Sequence, residues 1–244
     1  MSYLHQFVFG IYPYIALSIF LLGSLLRFDR EQYSWKSESS QVLYSGNLRV
    51  ANILFHVGIL GLFFGHLFGL LTPVAVWDAL GITHGQKQVF AMVMGGIFGV
   101  MCLIGVLMLL ARRFGNERLA ANTTWRDKLV MLWILATLLL GLSTIAVSAS
   151  HLDGHEMVTL MTWAQHIVTF RGDAASFIAE ASWVFKLHLF MGMTLFVIFP
   201  FTRLVHVWSG FGTLAYVARP YQLVRSRRLG LNPRAPASQG GRPF

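Results

Sequence analysis

The sequence predicts an all-α integral membrane protein with five transmembrane helices, the last four forming a bundle. Composition is the first reason: of 244 residues, 55% are hydrophobic and 12% charged, against about 25% charged in a soluble domain. Five apolar runs, each long enough for about 30 Å of hydrocarbon, are the second. The third is the placement of the basic residues. The net charge is +9, but the Lys and Arg side chains stand between and after the apolar runs. That is the pattern of membrane topology and argues against a nucleic-acid-binding stripe.

The first span covers residues 12–26, with fraying before Pro13. It lacks the basic start of a cleavable leader, and its first charges, Arg27, Asp29, Arg30 and Glu31, follow it. The positive-inside rule therefore predicts an outside N-terminus and a cytoplasmic segment 27–49. The second span runs outward through residues 49–73 to the stop at Thr72-Pro73. A short outer loop with Trp77, Asp78 and His84 precedes the third span, residues 88–110, which ends on Arg112-Arg113. Segment 114–128 is cytoplasmic, and residues 129–149 form the fourth span.

In segment 150–182, Met157, Leu160, Met161, Ala164 and Val168 recur at helical spacing, which predicts an amphipathic helix on the outer surface. The fifth span, residues 183–208, returns to the cytoplasm. Of nineteen Lys and Arg, only Lys87, Arg171 and Lys186 fall outside on this scheme. The membrane domain is expected to occupy residues 1–228. A basic, then Pro/Gly/Ser-rich tail ends in a disordered cytoplasmic stretch, 229–244.

Histidines carry the chemistry. The second span holds His56 and His66, about 15 Å apart along a helix and about 80° apart around it. The fifth holds His188 and His206, eighteen residues and five turns apart, so on one face and about 27 Å distant. An imidazole inside a bilayer needs a partner. Two helices with a His near each end can hold two stacked haems, each iron clamped by one imidazole from either helix. Such a centre keeps no open position and serves electron transfer. Because the two helices run antiparallel, His56 pairs with His206 at the cytoplasmic end and His66 with His188 at the outer end. Helix tilt and sloping haem planes are expected to absorb the difference between the two spacings. The single cysteine, Cys102, and the absence of CxxCH make the haems non-covalent and b-type.

Gly61, Gly65 and Gly69 on the second span, Gly192 one turn past His188, and Gly95, Gly96 and Gly99 on the third leave room for macrocycles or for close helix packing. Arg203 and Arg113 are candidate partners for the propionates of the inner haem. His151, His155 and Glu156 are read as solvated in preference to a metal site, and His5, His84 and His166 receive no role.

The stretches FHVGILGLFFGHLFGLLTP and KLHLFMGMTLFVIFPFTRLVHVW, the opening IYPYIA and the later YQLVR resemble the cytochrome b (gamma) subunit of membrane-bound respiratory nitrate reductase. The resemblance covers nearly all of the chain through Arg225 and does not extend to the tail after Arg228. It implies a three-subunit quinol:nitrate oxidoreductase in the bacterial cytoplasmic membrane. A molybdenum (alpha) subunit reduces nitrate, an iron–sulfur (beta) subunit relays electrons, and the gamma subunit oxidises quinol and anchors both. It further implies His66 and His188 as ligands of the outer, distal haem, and His56 and His206 as ligands of the inner, proximal haem. The quinol site lies at the outer haem and includes Lys87, which opens the third span.

Two other functions compete. A di-haem subunit of another quinone-linked enzyme, of formate dehydrogenase or hydrogenase type, shares the His pattern. A proton-coupled transporter would use buried histidines as relays, but the sequence has no inverted repeat and no carboxylate between the helix ends.

Overall fold

The structure is a computed structural model that describes residues 2–31, 35 and 47–210. Five helices among them are long and apolar enough to cross a bilayer: Tyr3–Arg30, Leu48–Leu71, His84–Phe114, Trp125–Ser148 and Trp183–Phe201. The protein is a multi-pass all-α membrane protein.

The first crossing begins earlier than expected. Helix α1 (Tyr3–Gln6) passes through a π-helical turn, Phe7–Ile11, into α2 (Tyr12–Arg30). Pro13 lacks an N–H, so no α-helical bond can reach the Phe9 carbonyl. The wider turn, in which the Tyr12 amide bonds to the Phe7 carbonyl, absorbs the proline without ending the helix. The Trp163 indole N–H donates to the Phe9 carbonyl at 2.9 Å. The expected fraying before Pro13 is therefore corrected: tertiary contact holds that turn.

Helix α3 (Leu48–Leu71) packs chiefly on α5 (His84–Phe114). A Cβ on Gly58 would lie 2.5 Å from the Cys102 amide, and one on Gly105 would overlap the backbone of Phe55. These two glycines let the backbones touch, as small residues do between membrane helices. Gly61 faces the Phe98 ring, so its smallness also serves packing.

Short α4 (Val74–Ala79) links α3 to α5, and α6 (Glu117–Ala121) links α5 to α7 (Trp125–Ser148). Both α5 and α7 start before their apolar runs, on capping boxes made by Thr83 with Gln86 and Thr124 with Asp127. One core cluster joins Cys102, Val106 and Leu110 of α5 to Val130, Met131, Ile134 and Leu138 of α7.

The amphipathic helix is α8 (His155–Val168). Its buried side is Met161, Trp163, Ala164 and Ile167, whereas Val168 is exposed. It forms a second cluster with Phe9, Ala174, Ala175 and Ile178, of which the first alanines belong to α9 (Ala174–Phe177).

The fifth crossing is not one helix over 183–208. Helix α10 (Trp183–Ile198) ends in a 3-10 turn, Phe199–Phe201, then extended Thr202, then a second turn, Arg203–Val205. Pro200 cannot supply an amide to the ladder. Arg27 reaches across from α2 and donates to the carbonyls of Pro200 at 2.7 Å and Thr202 at 2.8 Å.

Residues 1–206 form one compact unit, and residues 207–210 are helical. The expected tail 229–244, its boundary at 228, and most of the segment 27–49 lie outside the described residues.

Candidate functional site

Four imidazoles meet in two pairs. His56 and His206 have ring centroids 6.2 Å apart at an interplanar angle of 72°. His66 and His188 are 6.1 Å apart at 43°. The separations are near-equal despite unequal sequence spacings, and α10 stops at Ile198 before His206. The straight-helix distance of about 27 Å does not apply across the Pro200 break.

Each ring is anchored by the same nitrogen. Nδ1 of His56 contacts the Asn52 carbonyl at 2.8 Å and Nδ1 of His66 the Leu62 carbonyl at 2.7 Å, both one turn back on α3. Nδ1 of His206 meets the Arg203 carbonyl at 2.5 Å. His188 is different, since its Nδ1 crosses to the Thr137 carbonyl on α7 at 3.1 Å. A carbonyl only accepts, so these contacts place the proton on Nδ1 and leave Nε2 as a lone-pair donor. Among the described residues no hydrogen bond occupies Nε2 in any of the four.

This is the arrangement a metal-bound imidazole has, with its second nitrogen fixed by a carbonyl. Metal–imidazole bonds of about 2 Å each, added to the distance from each nitrogen to its ring centre, fit one metal ion per pair. A planar group has room beside them. A Cβ on Gly65, Gly69 or Gly192 would meet nothing within 4 Å. Gly141 of α7 contributes differently: a Cβ there would stand 2.9 Å from Cε1 of His188, so only glycine lets that ring reach Thr137.

At the other end of α7, Asp127 sits between two guanidiniums. Arg113 lies 3.2 Å from one carboxylate oxygen and Arg203 3.6 Å from the other, with side-chain exposures of 12%, 17% and 5% for Arg113, Arg203 and Asp127. The candidate propionate partners Arg113 and Arg203 thus form one cluster with a carboxylate, adjoining the His56–His206 pair through Arg203. Asp127 thus offsets part of the positive charge of both guanidiniums.

Lys87 stands beside the other pair. Lys87 is 5% exposed, so its side chain is packed within the protein. Nζ donates to the Gly69 carbonyl at 2.8 Å, contacts the Met161 sulfur of α8, and lies 4.6 Å from the Trp77 ring centre. Gly69 is three residues past His66 on α3. The buried Nε1 of Trp77 has no hydrogen-bond partner among the described residues. Gln165 closes this corner by donating to the Leu70 and Thr72 carbonyls, both at 3.1 Å.

The profile of the family described as nitrate reductase gamma subunit matches residues 5–227. The chain belongs to this family. The respiratory nitrate reductase 2 gamma chain of Escherichia coli (strain K12) is 51% identical over 228 residues, covering 93% of this chain and all of that one. The respiratory nitrate reductase 1 gamma chain of the same strain is 48% identical over 227 residues, again 93% and 100%. The nitrate reductase gamma chain of Bacillus subtilis (strain 168) is 33% identical over 222 residues, covering 91% and 98%. As a member, this gamma subunit is part of an oxidoreductase complex.

Several site residues of the gamma subunit escaped the sequence reading. Asp127 looks like a loop charge until Thr124, three residues earlier, marks a helix start; that T-x-x-D spacing was the available signal. Thr137 and Gly141 sit inside an apolar run where nothing marks them as neighbours of His188. His151, His155 and Glu156 do not gather: His151 pairs with Ser150, and Glu156 lies 3.5 Å from Ser148. Among the described residues no cluster of three potential metal ligands forms.

Proposed function

We propose that this gamma subunit is the haem-bearing, quinol-oxidising membrane anchor of a respiratory nitrate reductase in a bacterial inner membrane. The observation that carries the reading is the two cross-helix imidazole pairs, with ring centroids 6.2 and 6.1 Å apart and every Nδ1 committed to a carbonyl. His66 and His188 hold an outer, distal haem, and His56 and His206 an inner, proximal one, both b-type and non-covalent. When bound, each haem supplies an iron centre that exchanges one electron and binds no further ligand. The four histidines fix iron position, and their Nδ1–H bonds to carbonyls keep the rings from turning.

Lys87 binds the substrate. An ammonium has three donor hydrogens, and two are committed to the Gly69 carbonyl and the Met161 sulfur. The third donates to a quinol oxygen and stabilises the negative charge that grows as its proton leaves. The unpartnered N–H of Trp77 supplies a second donor at the same corner. Quinol becomes quinone with release of two protons and two electrons. The protons leave at the outer face, with the orientation set by the positive-inside rule. The electrons pass inward to an iron–sulfur (beta) subunit and then a molybdenum (alpha) subunit, where nitrate, two protons and two electrons give nitrite and water. Each charge so separated stores about 2.3 kcal/mol per 100 mV. The names of the relatives support this assignment over a formate dehydrogenase or hydrogenase partner.

Single histidine variants test it. His66→Ala and His188→Ala should each remove one and the same haem from the optical difference spectrum, and His56→Ala and His206→Ala the other. Loss of the same haem from His66→Ala and His206→Ala would break the pairing.

A further inference from the structure

The function proposed above uses the two pairs of histidines, with Arg113 and Arg203 as candidate propionate partners at the inner haem. Asp127 has no role in it. We infer that Asp127 is a positioning residue that sets the geometry and the reduction potential of the inner haem through Arg203, an inference that rests on the proposed function.

The connection is short and runs through a single residue, Arg203. Asp127 Oδ1 holds the guanidinium of Arg203 at 3.6 Å. The carbonyl of the same Arg203 accepts the Nδ1–H of His206 at 2.5 Å. The residue that orients the inner ligand is therefore itself pinned by Asp127. It needs pinning, because it lies beyond the end of α10 at Ile198, in a single 3-10 turn that follows extended Thr202. Such a turn has few internal hydrogen bonds to fix it. Oδ2 of Asp127 meanwhile grips Arg113 near the end of α5 at 3.2 Å, and accepts from Thr124 Oγ1 at 3.0 Å. One carboxylate thus ties the end of α5, the start of α7 and the His206 turn together. Its side chain is 5% exposed, so its charge acts in a medium of low screening.

The charge has a predictable sign of effect. A haem iron gains one positive charge on oxidation, so a nearby carboxylate favours the oxidised form and lowers the potential. Asp127 also neutralises part of the charge on Arg113 and Arg203. Removing it withdraws the negative charge and its share of the compensation of Arg113 and Arg203. Both changes push the inner-haem potential upward, while the outer haem, at the far end of the helices, feels little of either.

Redox titration of the purified protein followed at the two haem absorption bands tests this, with wild type, Asp127→Asn and Thr124→Ala. Asp127→Asn keeps a side chain that can still cap α7, and Thr124→Ala weakens the cap while keeping the charge. The expected result is a raised inner-haem potential in Asp127→Asn only, larger than any change at the outer haem. Selective loss of the inner haem in Asp127→Asn, with the outer haem retained, would equally support the positioning role. An unchanged or lowered inner-haem potential would overturn it. So would an equal shift in Thr124→Ala, or loss of both haems, since either would mark a general packing role. A wild-type protein without two haems would instead sink the proposed function itself.

Discussion

At His56, His66 and His206 a carbonyl on the residue's own segment takes the Nδ1 proton, while His188 depends on α7. The same division of labour separates the two ends of the site. The end near the His56–His206 pair is charged, with Arg113, Arg203 and Asp127 in one cluster. Beside the His66–His188 pair, the Lys87 ammonium stands among neutral groups: the Gly69 carbonyl, the Met161 sulfur and the Trp77 face. No carboxylate among the described residues forms an ion pair with Lys87, so the ammonium remains available to a ligand that develops negative charge. Lys87→Ala should leave both haems bound and reducible by a small artificial donor. Its rate of haem reduction by quinol should fall roughly 10²-fold, the usual scale for losing one such donor. Lys87→Arg should recover only part of the rate, because a planar fork does not replace a compact ammonium. Stopped-flow kinetics with quinol in Lys87→Ala that match wild type would leave Lys87 as a packing residue.

Among the elements, the fifth crossing matters most. Its α-helix ends at Ile198, and the two carbonyls beside the break are held by Arg27 from α2. Hydrogen bonds to a charged donor are worth about 1.5–3 kcal/mol each, and buried carbonyls left bare add a desolvation cost. Arg27→Ala should therefore destabilise the protein by on the order of 2–4 kcal/mol, with Arg27→Lys intermediate. Thermal unfolding in detergent, followed at the haem bands, measures this, and an unshifted midpoint would mean that the break needs no such support. This element also marks where the sequence stops being legible. The four histidines and the apolar runs are plain in it, because bilayer length and intramembrane polarity leave few alternatives. Pro200 was visible too, but proline kinks and proline stops look alike when apolar residues flank both sides. The opposite error occurred at Pro13, where a π turn and the Trp163 indole rescued a helix that local propensity would end. Neither outcome is written in the segment itself; each is decided by a side chain more than 150 positions away.

For the whole molecule, the bundle places one imidazole pair near each end of α3 and different electrostatics around each. On the proposed reading, the Lys87 corner beside one pair and the Asp127 cluster beside the other would give electrons a direction between the two ligand sets. The apolar exterior fits a lipid surround: Phe68 is 62% exposed and Phe90 63%, which hydrocarbon tolerates and water does not. Everything else rests on each pair clamping one iron. The count of haems per chain in the purified wild-type protein, by pyridine haemochrome against protein concentration, measures that directly. Two extractable b-type haems per chain is the expected result. One haem, none, or a haem that stays covalently attached to the chain would contradict it.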